Sequence, residues 1–150
     1  MKTDLDTTMD TTNKGSYILI ASLPINQTIH VGKLGEVSFS KGFYAYVGSA
    51  MNGLDSRIGR HLQTKKNIHW HIDYLLQYAD ITDILYCRNE HRLECQIAQM
   101  MSPHFSSINR FGCSDCRCHS HLIVCQQRSD LIQRAQEAFV QLNVSLQNWL

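Results

Sequence analysis

The sequence predicts an α+β fold, and the order of its local patterns is the main reason. Short apolar segments rich in β-branched and aromatic residues fill the first third of the chain and indicate strands. Two patterns with helical spacing follow, then one more strand pattern and another helix. This order differs from the regular alternation of a doubly wound fold. A chain of 150 residues is long enough for one domain with a substantial core.

The first strands surround a predicted hairpin. The segment SYILIASL, residues 16–23, is an apolar run closed by Pro24, and we interpret it as a buried strand. The segments QTIHVG and GEVSFS alternate around Gly32 and Gly35, which predicts a hairpin between residues 27 and 38. The segment GFYAYVGS is the next predicted strand and ends at Gly48.

A helix is predicted directly after that strand. Leu54, Ile58 and Leu62 are four residues apart and form an apolar stripe. Arg57 and His61 have the same spacing, so they share a different face of this helix. The residues suited to the start of the helix are Asn52 and Asp55.

Later patterns predict two helices, a strand and a C-terminal helix. The segments WHIDYLLQYA and RLECQIAQMM have helical spacing, the second ending before Pro103, and ITDILYC between them is typical of a strand. The last helix begins at a capping box of Asp130 and Gln133 and could extend to Trp149. Its apolar positions are Leu131, Ala135, Ala138, Phe139 and Leu142.

Composition and charge limit the class of protein. Apolar residues make up 43% of the chain, and a formal charge of +1 creates no strong field toward nucleic acid. We find no signal peptide and no apolar run that could span a membrane, so we expect a cytoplasmic protein without membrane contact. In that compartment the six cysteines are free thiols or metal ligands. We divide the chain into a disordered tail (1–14), one domain (15–125) and a helical extension (126–150).

Five ordered blocks of this sequence resemble a known nuclease family. The triplets GSY (residues 15–17) and YVG (residues 46–48), followed by GLDSRIGRHL and RLECQIAQ, are similar to the motifs of the GIY-YIG nucleases. GEVSFSKGFYAYVGSA, RIGRHL, HWHIDYLL, RLECQIA and GCSDCRCHSHL are similar to its small prokaryotic Uri-type branch. The resemblance covers residues 15–122.

The resemblance implies both a fold and a reaction. It implies a small mixed or antiparallel sheet flanked by helices, here with an extra N-terminal hairpin and the C-terminal helix, and a one-metal phosphodiesterase reaction. By position, Tyr46 or Tyr17 would activate the attacking water, and Arg57 would bind the scissile phosphate. Glu94 would hold Mg²⁺ or Mn²⁺, and His61 would lie close to the phosphate.

These residue types suit the chemistry independently of the resemblance. A permanently charged arginine can stabilise the charge that develops on phosphate oxygens. Mg²⁺ held by one carboxylate keeps most of its waters. A tyrosine with a pKa near 10 is a poor base at neutral pH, so nearby cations must lower that pKa, or His61 must replace the tyrosine. The identity of the base stays open.

The implied substrate is DNA, including structured or damaged DNA. The residues expected to contact it are Gly48, Ser49, Arg60, Lys65 and Lys66. Ser49 stands where the better-studied nucleases of the family often have a lysine, which weakens the expectation of efficient cleavage. The alternative is a nucleic-acid-binding module that keeps the scaffold with little or no catalysis.

The block HWHIDYLL has two interpretations. Asp73 could orient His69 or His71 as carboxylates orient metal-bound imidazoles. In the alternative, His71 and Asp73 fasten the start of the helix.

The block CSDCRCHSH is a candidate zinc site. Cys116, Cys118 and His121 are suitable ligands, although the block alone offers no second ligand pair from elsewhere in the chain. In the alternative, the loop folds back beside the active site, where Asp115 and His121 form hydrogen bonds. A third possibility is a zinc-stabilised interaction domain. The C-terminal helix either covers the sheet or pairs with a second subunit as a homodimer.

Overall fold

The protein is an α+β domain built on one antiparallel sheet, as the sequence predicts. The computed structural model describes residues 12–113 and 116–150. These residues form eight strands: β1 (Gly15–Leu23), β2 (Gln27–His30), β3 (Glu36–Phe39), β4 (Gly42–Ala50), β5 (Asp80–Arg88), β6 (Ser106–Ser107), β7 (Leu122–Cys125) and β8 (Gln147–Asn148). The same residues form four α-helices: α1 (Leu54–Leu62), α2 (His71–Leu75), α3 (Glu94–Met101) and α4 (Arg128–Gln141).

Two sheets are present in the described part of the chain. Six strands form the main sheet in the order β6-β7-β4-β1-β5-β8, and every neighbouring pair is antiparallel. Strands β2 and β3 form the predicted hairpin as a separate two-stranded sheet. Short single turns of 3₁₀-helix lie at Gly32–Leu34 and Ser102–His104.

Strand β1 lies at the centre of the sheet and is buried on both faces. Because side chains alternate along a strand, Tyr17 and Leu19 enter one core with α1, α2 and the hairpin. Ile18 and Ile20 enter a second core with α3 and α4. The sheet is therefore the middle of three layers, and its continuous apolar run is explained by burial on both sides.

Helix α1 buries a different stripe from the one its leucines predict. Its buried positions are Leu54, Ile58 and His61, whereas Leu62 is 40% exposed. His61 follows Leu54 by seven residues and Ile58 by three. In a helix of 3.6 residues per turn, these spacings place His61 on the same face as both residues. The helix starts between Asn52 and Asp55, as predicted, but Gly53 is its N-cap and no side chain caps it.

The C-terminal segment corrects two expectations. Helix α4 begins at Arg128 with Gln127 as N-cap, so Asp130 lies within the first turn and forms no capping box. The helix ends at Gln141 instead of extending to Trp149, and Asn143 adopts φ 63°. Strand β8 then pairs with β5, and α4 buries Leu131, Ala135, Ala138 and Phe139 in the second core. The helix therefore covers the sheet; pairing with a second subunit stays a prediction.

Two further findings concern the helices and the thiols. Helix α2 has only five residues, half of the predicted segment, because the chain turns after Leu75. None of the helices in residues 12–113 and 116–150 has the length and apolarity needed to cross a bilayer. All six cysteines are free thiols.

Candidate active site and metal centre

Two tyrosines from neighbouring strands meet on one face of the sheet. Tyr17 on β1 is paired with Gly48 on β4, and Leu19 is paired with Tyr46, so both rings enter the first core. Their ring centroids are 6.5 Å apart. A Cβ atom on Gly48 would lie 2.6 Å from the Tyr17 hydroxyl, so the close approach of this ring requires glycine. The structure thus brings both predicted tyrosines together.

His61 joins the tyrosines from helix α1. Its Nε2 atom lies 2.7 Å from the Tyr17 hydroxyl, and its ring centroid is 6.2 Å from that of Tyr46. The side chain is only 2% exposed. Among the described residues, its Nδ1 is the one buried side-chain nitrogen or oxygen without a hydrogen-bond partner. An unpaired buried polar atom is costly, so Nδ1 is the atom of this cluster most in need of a further partner.

Burial keeps all three rings neutral at neutral pH. Burial raises the pKa of Tyr17 to about 12, against the opposing effect of the nearby Arg57 guanidinium. Burial also raises the pKa of Tyr46 well above its ordinary value, and Tyr17 adds to the increase. Burial lowers the pKa of His61 to about 3, and Arg57 adds to the decrease. The neutral imidazole can therefore accept a hydrogen bond from the Tyr17 hydroxyl at pH 7.

Arg57 is held at the edge of this cluster by one hydrogen bond and one aromatic ring. Its Nη1 donates to the Ser49 carbonyl oxygen at 2.9 Å. Its guanidinium carbon lies 4.3 Å from the centre of the Trp70 ring, a cation–π distance. Trp70 was not among the predicted site residues, because a single tryptophan before a helix carries no local signal of such a contact.

Asp73 is a buried organiser of the segment that carries Trp70. Its carboxylate accepts two hydrogen bonds from the Arg60 guanidinium, at 3.0 and 2.9 Å, and two from the backbone amides of His69 and Trp70. Burial alone would raise the pKa of Asp73, but these hydrogen bonds hold it below its ordinary value. Asp73 therefore fastens the start of α2, which is the structural interpretation of this block.

The residues predicted to contact the substrate differ in the partners they have within the protein. Arg60 is paired with Asp73, and Lys66 donates to three carbonyl oxygens at the end of α1. Lys65 is exposed. The Ser49 hydroxyl lies 2.7 Å from that of Ser16 and faces away from the tyrosines. Contact between these residues and a ligand stays a prediction.

Glu94 lies in the first turn of α3. Its side chain is 19% exposed and forms a long ion pair with Arg92 at 3.6 Å. It is close enough to raise the pKa of both Tyr17 and Tyr46 by its negative charge. Next to it, the Leu93 amide donates to the Ser16 hydroxyl oxygen at 3.1 Å. The buried serine pair thus ties this helix start to strands β1 and β4, a role that the pattern GSY does not signal.

A second cluster lies beside Glu94 and consists of three cysteines and one histidine. The potential ligand atoms of Cys95, Cys116, Cys118 and His121 all lie within 4.8 Å of one another. His121 Nε2 is 3.7 Å from Cys95 Sγ and 3.5 Å from Cys116 Sγ. This Cys₃His cluster could hold a metal ion. The block CSDCRCHSH supplies three of its ligands, and α3 supplies Cys95, the ligand that the sequence analysis missed.

Two thiols of the cluster, those of Cys95 and Cys118, favour the protonated state. Burial raises the pKa of Cys95, and Cys118 and Cys116 add to the increase. Burial also raises the pKa of Cys118, where Cys95 opposes the increase and Cys116 adds to it. Burial also raises the pKa of Cys113 to about 12, with Cys116 adding to the effect. A bound cation would reverse this preference, since metal ligation requires thiolates.

The loop of the Cys₃His cluster also packs against the candidate active site. His121 O accepts a hydrogen bond from Val47 N on β4 at 2.9 Å. A Cβ atom on Gly112 would lie 3.1 Å from both Tyr46 Cε1 and His121 Cβ. The Gly112 amide donates to His71 Nδ1 at 2.8 Å, so His71 fastens this loop to α2. Asp115, also predicted here, lies outside the described residues.

Comparison with known proteins identifies a family without an assigned activity. The family described as "Domain of unknown function DUF123" matches residues 16–144, which is most of the chain. No curated protein and no solved structure matches the chain.

Proposed function

The chain belongs to the DUF123 family, and we propose that it is a divalent-metal-dependent endonuclease hydrolysing phosphodiester bonds in DNA. One observation carries this proposal: Tyr17, Tyr46 and His61 from three separate elements meet in one buried cluster, and the charges of Arg57 and Glu94 act on both tyrosines. Each of these residue types has a role in phosphodiester cleavage. The resemblance of the sequence blocks to the GIY-YIG nucleases supports the same reaction.

The arrangement suggests how the proton of the attacking water is accepted. Neutral His61 accepts the proton of the Tyr17 hydroxyl through Nε2, and the Tyr17 oxygen in turn accepts the proton of the water. This relay avoids a free tyrosinate, which the raised pKa of Tyr17 makes costly. In that tautomer His61 Nδ1 carries a proton and can donate it to a phosphate oxygen, which would satisfy the unpartnered atom. Because burial also lowers the pKa of His61, the protonated imidazole requires the negative charge of the bound phosphate beside it.

Arg57 and Glu94 complete the proposed site. Arg57 donates through Nη1 to a carbonyl and keeps further N–H groups for a phosphate oxygen. Glu94 fits a hard divalent cation, because its carboxylate is partly exposed and has only a long contact with Arg92. Bound there, Mg²⁺ or Mn²⁺ would supply charge stabilisation for the leaving oxygen.

A metal titration on several DNA structures tests the activity. Parent protein, Glu94→Gln and Arg57→Ala are incubated with Mg²⁺ or Mn²⁺ and single-stranded, duplex, flapped and abasic DNA. We expect metal-dependent product from the parent and none from either variant. Glu137→Gln and Arg134→Ala are matched controls on the exposed face of α4 and should keep full activity. Full activity of Glu94→Gln would refute the proposed site.

We also propose that the Cys₃His cluster binds zinc. Zn–S and Zn–N bonds of about 2.3 and 2.05 Å in a tetrahedron place sulfur and nitrogen about 3.6 Å apart. The observed separations of 3.7 and 3.5 Å agree with that value. With four protein ligands and no open position, the site would be structural.

Elemental analysis of purified protein tests the zinc site. We expect equimolar zinc in the parent and in Cys125→Ser, whose thiol lies outside the Cys₃His cluster, and a loss of zinc in Cys95→Ser. Zinc-free parent protein with a native near-UV spectrum would contradict the assignment.

A second candidate function is DNA binding without catalysis. The observation favouring it is that both tyrosines have a raised pKa, with Ser49 engaged by Ser16 where related nucleases carry a lysine. In this case the DNA titration would give salt-dependent binding and no product with either metal.

A further inference from the structure

Helix α3 presents two functional side chains in succession at its first turn. Glu94 is the proposed ligand of the divalent cation, and Cys95, the next residue, belongs to the Cys₃His cluster. The two groups belong to consecutive residues, so the start of α3 joins one site to the other. Any movement of the Cys95 ligand therefore displaces the carboxylate next to it.

The first turn of this helix packs through Ile97 and has few side-chain hydrogen bonds. No side chain caps it, and the Leu93 amide bond to Ser16 is the side-chain bond that fixes its entry. The helix has eight residues, which is too short to be stable without tertiary contacts. The Cys₃His cluster supplies such a contact, because its other ligands lie in a separate part of the chain.

The opposite side of the cluster is fixed to the sheet. His121 accepts a backbone hydrogen bond from Val47, the neighbour of Tyr46, and donates one to Phe111. Gly112 fills the narrow space between the His121 and Tyr46 side chains. An ion in the cluster would thus join the strand of Tyr46 to the helix of Glu94.

We propose that the ion of the Cys₃His cluster positions Glu94 and thereby sets the affinity of the protein for its catalytic divalent cation. Cys95 and Cys118 are positioning residues in this scheme, since they act through Glu94. The inference rests on the proposed function, because it assigns the divalent cation to Glu94. Residues that orient metal ligands typically change metal affinity about 10- to 100-fold when they are removed.

Mn²⁺ affinity without any DNA is the direct test. Free Mn²⁺ is followed by electron paramagnetic resonance during titration of the zinc-loaded full chain. We expect Cys118→Ser to lose zinc and to bind Mn²⁺ at least about tenfold more weakly than the parent. Cys118→His replaces one zinc ligand with another, so it should retain both zinc and the parent's Mn²⁺ affinity. Cys125→Ser should match the parent in both measurements. Circular dichroism of each variant verifies the fold.

The parent protein provides a second measurement that needs no substitution. Zinc is removed with a chelator, Mn²⁺ affinity is measured, and zinc is then returned. Recovery of Mn²⁺ affinity with zinc is expected, whereas an unchanged affinity in zinc-free, folded protein would overturn the positioning role and leave the nuclease proposal intact. If the parent does not bind Mn²⁺, or if Glu94→Gln binds it as tightly as the parent, the divalent-cation site of the proposed function is refuted as well.

Discussion

The Tyr17 hydroxyl and the His61 imidazole form a 2.7 Å hydrogen bond inside the protein, where both side chains are almost fully excluded from solvent. The same burial moves their pKa values in opposite directions, to about 12 for Tyr17 and about 3 for His61. Both groups are therefore neutral at physiological pH. The Tyr17 oxygen and the His61 nitrogen form a neutral hydrogen bond instead of an ion pair.

This pair makes folding stability depend on pH in a defined direction. In the unfolded chain His61 has its ordinary pKa of 6.5, so below pH 6.5 the unfolded state binds the proton first. Stability should fall from pH 6.5 toward pH 3, with His61 contributing up to about 1.4 kcal/mol per pH unit. His71 and His121, whose pKa values burial also lowers, add to the slope. Urea unfolding of His61→Gln should show a smaller slope than the parent; identical slopes would contradict the burial of His61.

Gly48 should tolerate no side chain. An alanine Cβ there would lie 2.6 Å from the Tyr17 ring and hydroxyl, so Gly48→Ala should cost about 1–3 kcal/mol of unfolding free energy. Gly59 in α1 has open space at its Cβ position, and Gly59→Ala should stabilise by about 0.5–1 kcal/mol. Chemical denaturation measures both. A Gly48→Ala variant as stable as the parent would show that the tyrosine can move aside.

Asp73 should contribute more to stability than an exposed ion pair. Asp73→Ala removes four hydrogen bonds and leaves the Arg60 guanidinium, which is 24% exposed, without its partner. We expect a loss near the lower end of about 3–5 kcal/mol. Glu137→Ala breaks the exposed pair with Arg134 and should change stability by less than about 0.5 kcal/mol. Equal effects in thermal unfolding would argue against a structural role for Asp73.

Trp70 should matter to cleavage through the position of Arg57. Trp70→Leu removes the ring that lies 4.3 Å from the guanidinium, an interaction of about 1 kcal/mol. If the proposed function is correct, cleavage should slow about fivefold under single-turnover conditions. Trp149→Leu, at the contact with Tyr86 on the far side of β5, should leave the rate unchanged. Equal rates for parent and Trp70→Leu would show that Arg57 is held by its hydrogen bond alone.

The sequence predicted the strands and α1 because their signals are local. The run at residues 16–23 is apolar throughout, and the structure places it in the centre of the sheet. The capping box at Asp130 was wrong because the helix begins two residues earlier, at Arg128. The apolar stripe of α1 was assigned to Leu62 because histidine is usually polar and exposed, yet His61 is the residue that packs beneath the sheet.

The sequence identified only some of the residues of the candidate site and the Cys₃His cluster. The tyrosines, Arg57 and Glu94 were identified through ordered blocks, and the structure brings the two tyrosine rings to within 6.5 Å of each other. Cys95 was missed because it lies 21 positions before Cys116 and joins the cluster only through packing of α3. Its one signal is its position next to Glu94, three residues before the buried Ala98, on the face of α3 that points into the protein.

The outermost strands of the main sheet, β6 and β8, are each only two residues long. The nine-residue strands β1, β4 and β5 all lie between them. Edge strands this short present few unpaired backbone donors and acceptors to another chain. Long unpaired strand edges are the usual template for β-sheet aggregation. The architecture therefore protects the long apolar strands from polymerisation, and concentrated solutions of the folded protein should resist growth of cross-β fibrils.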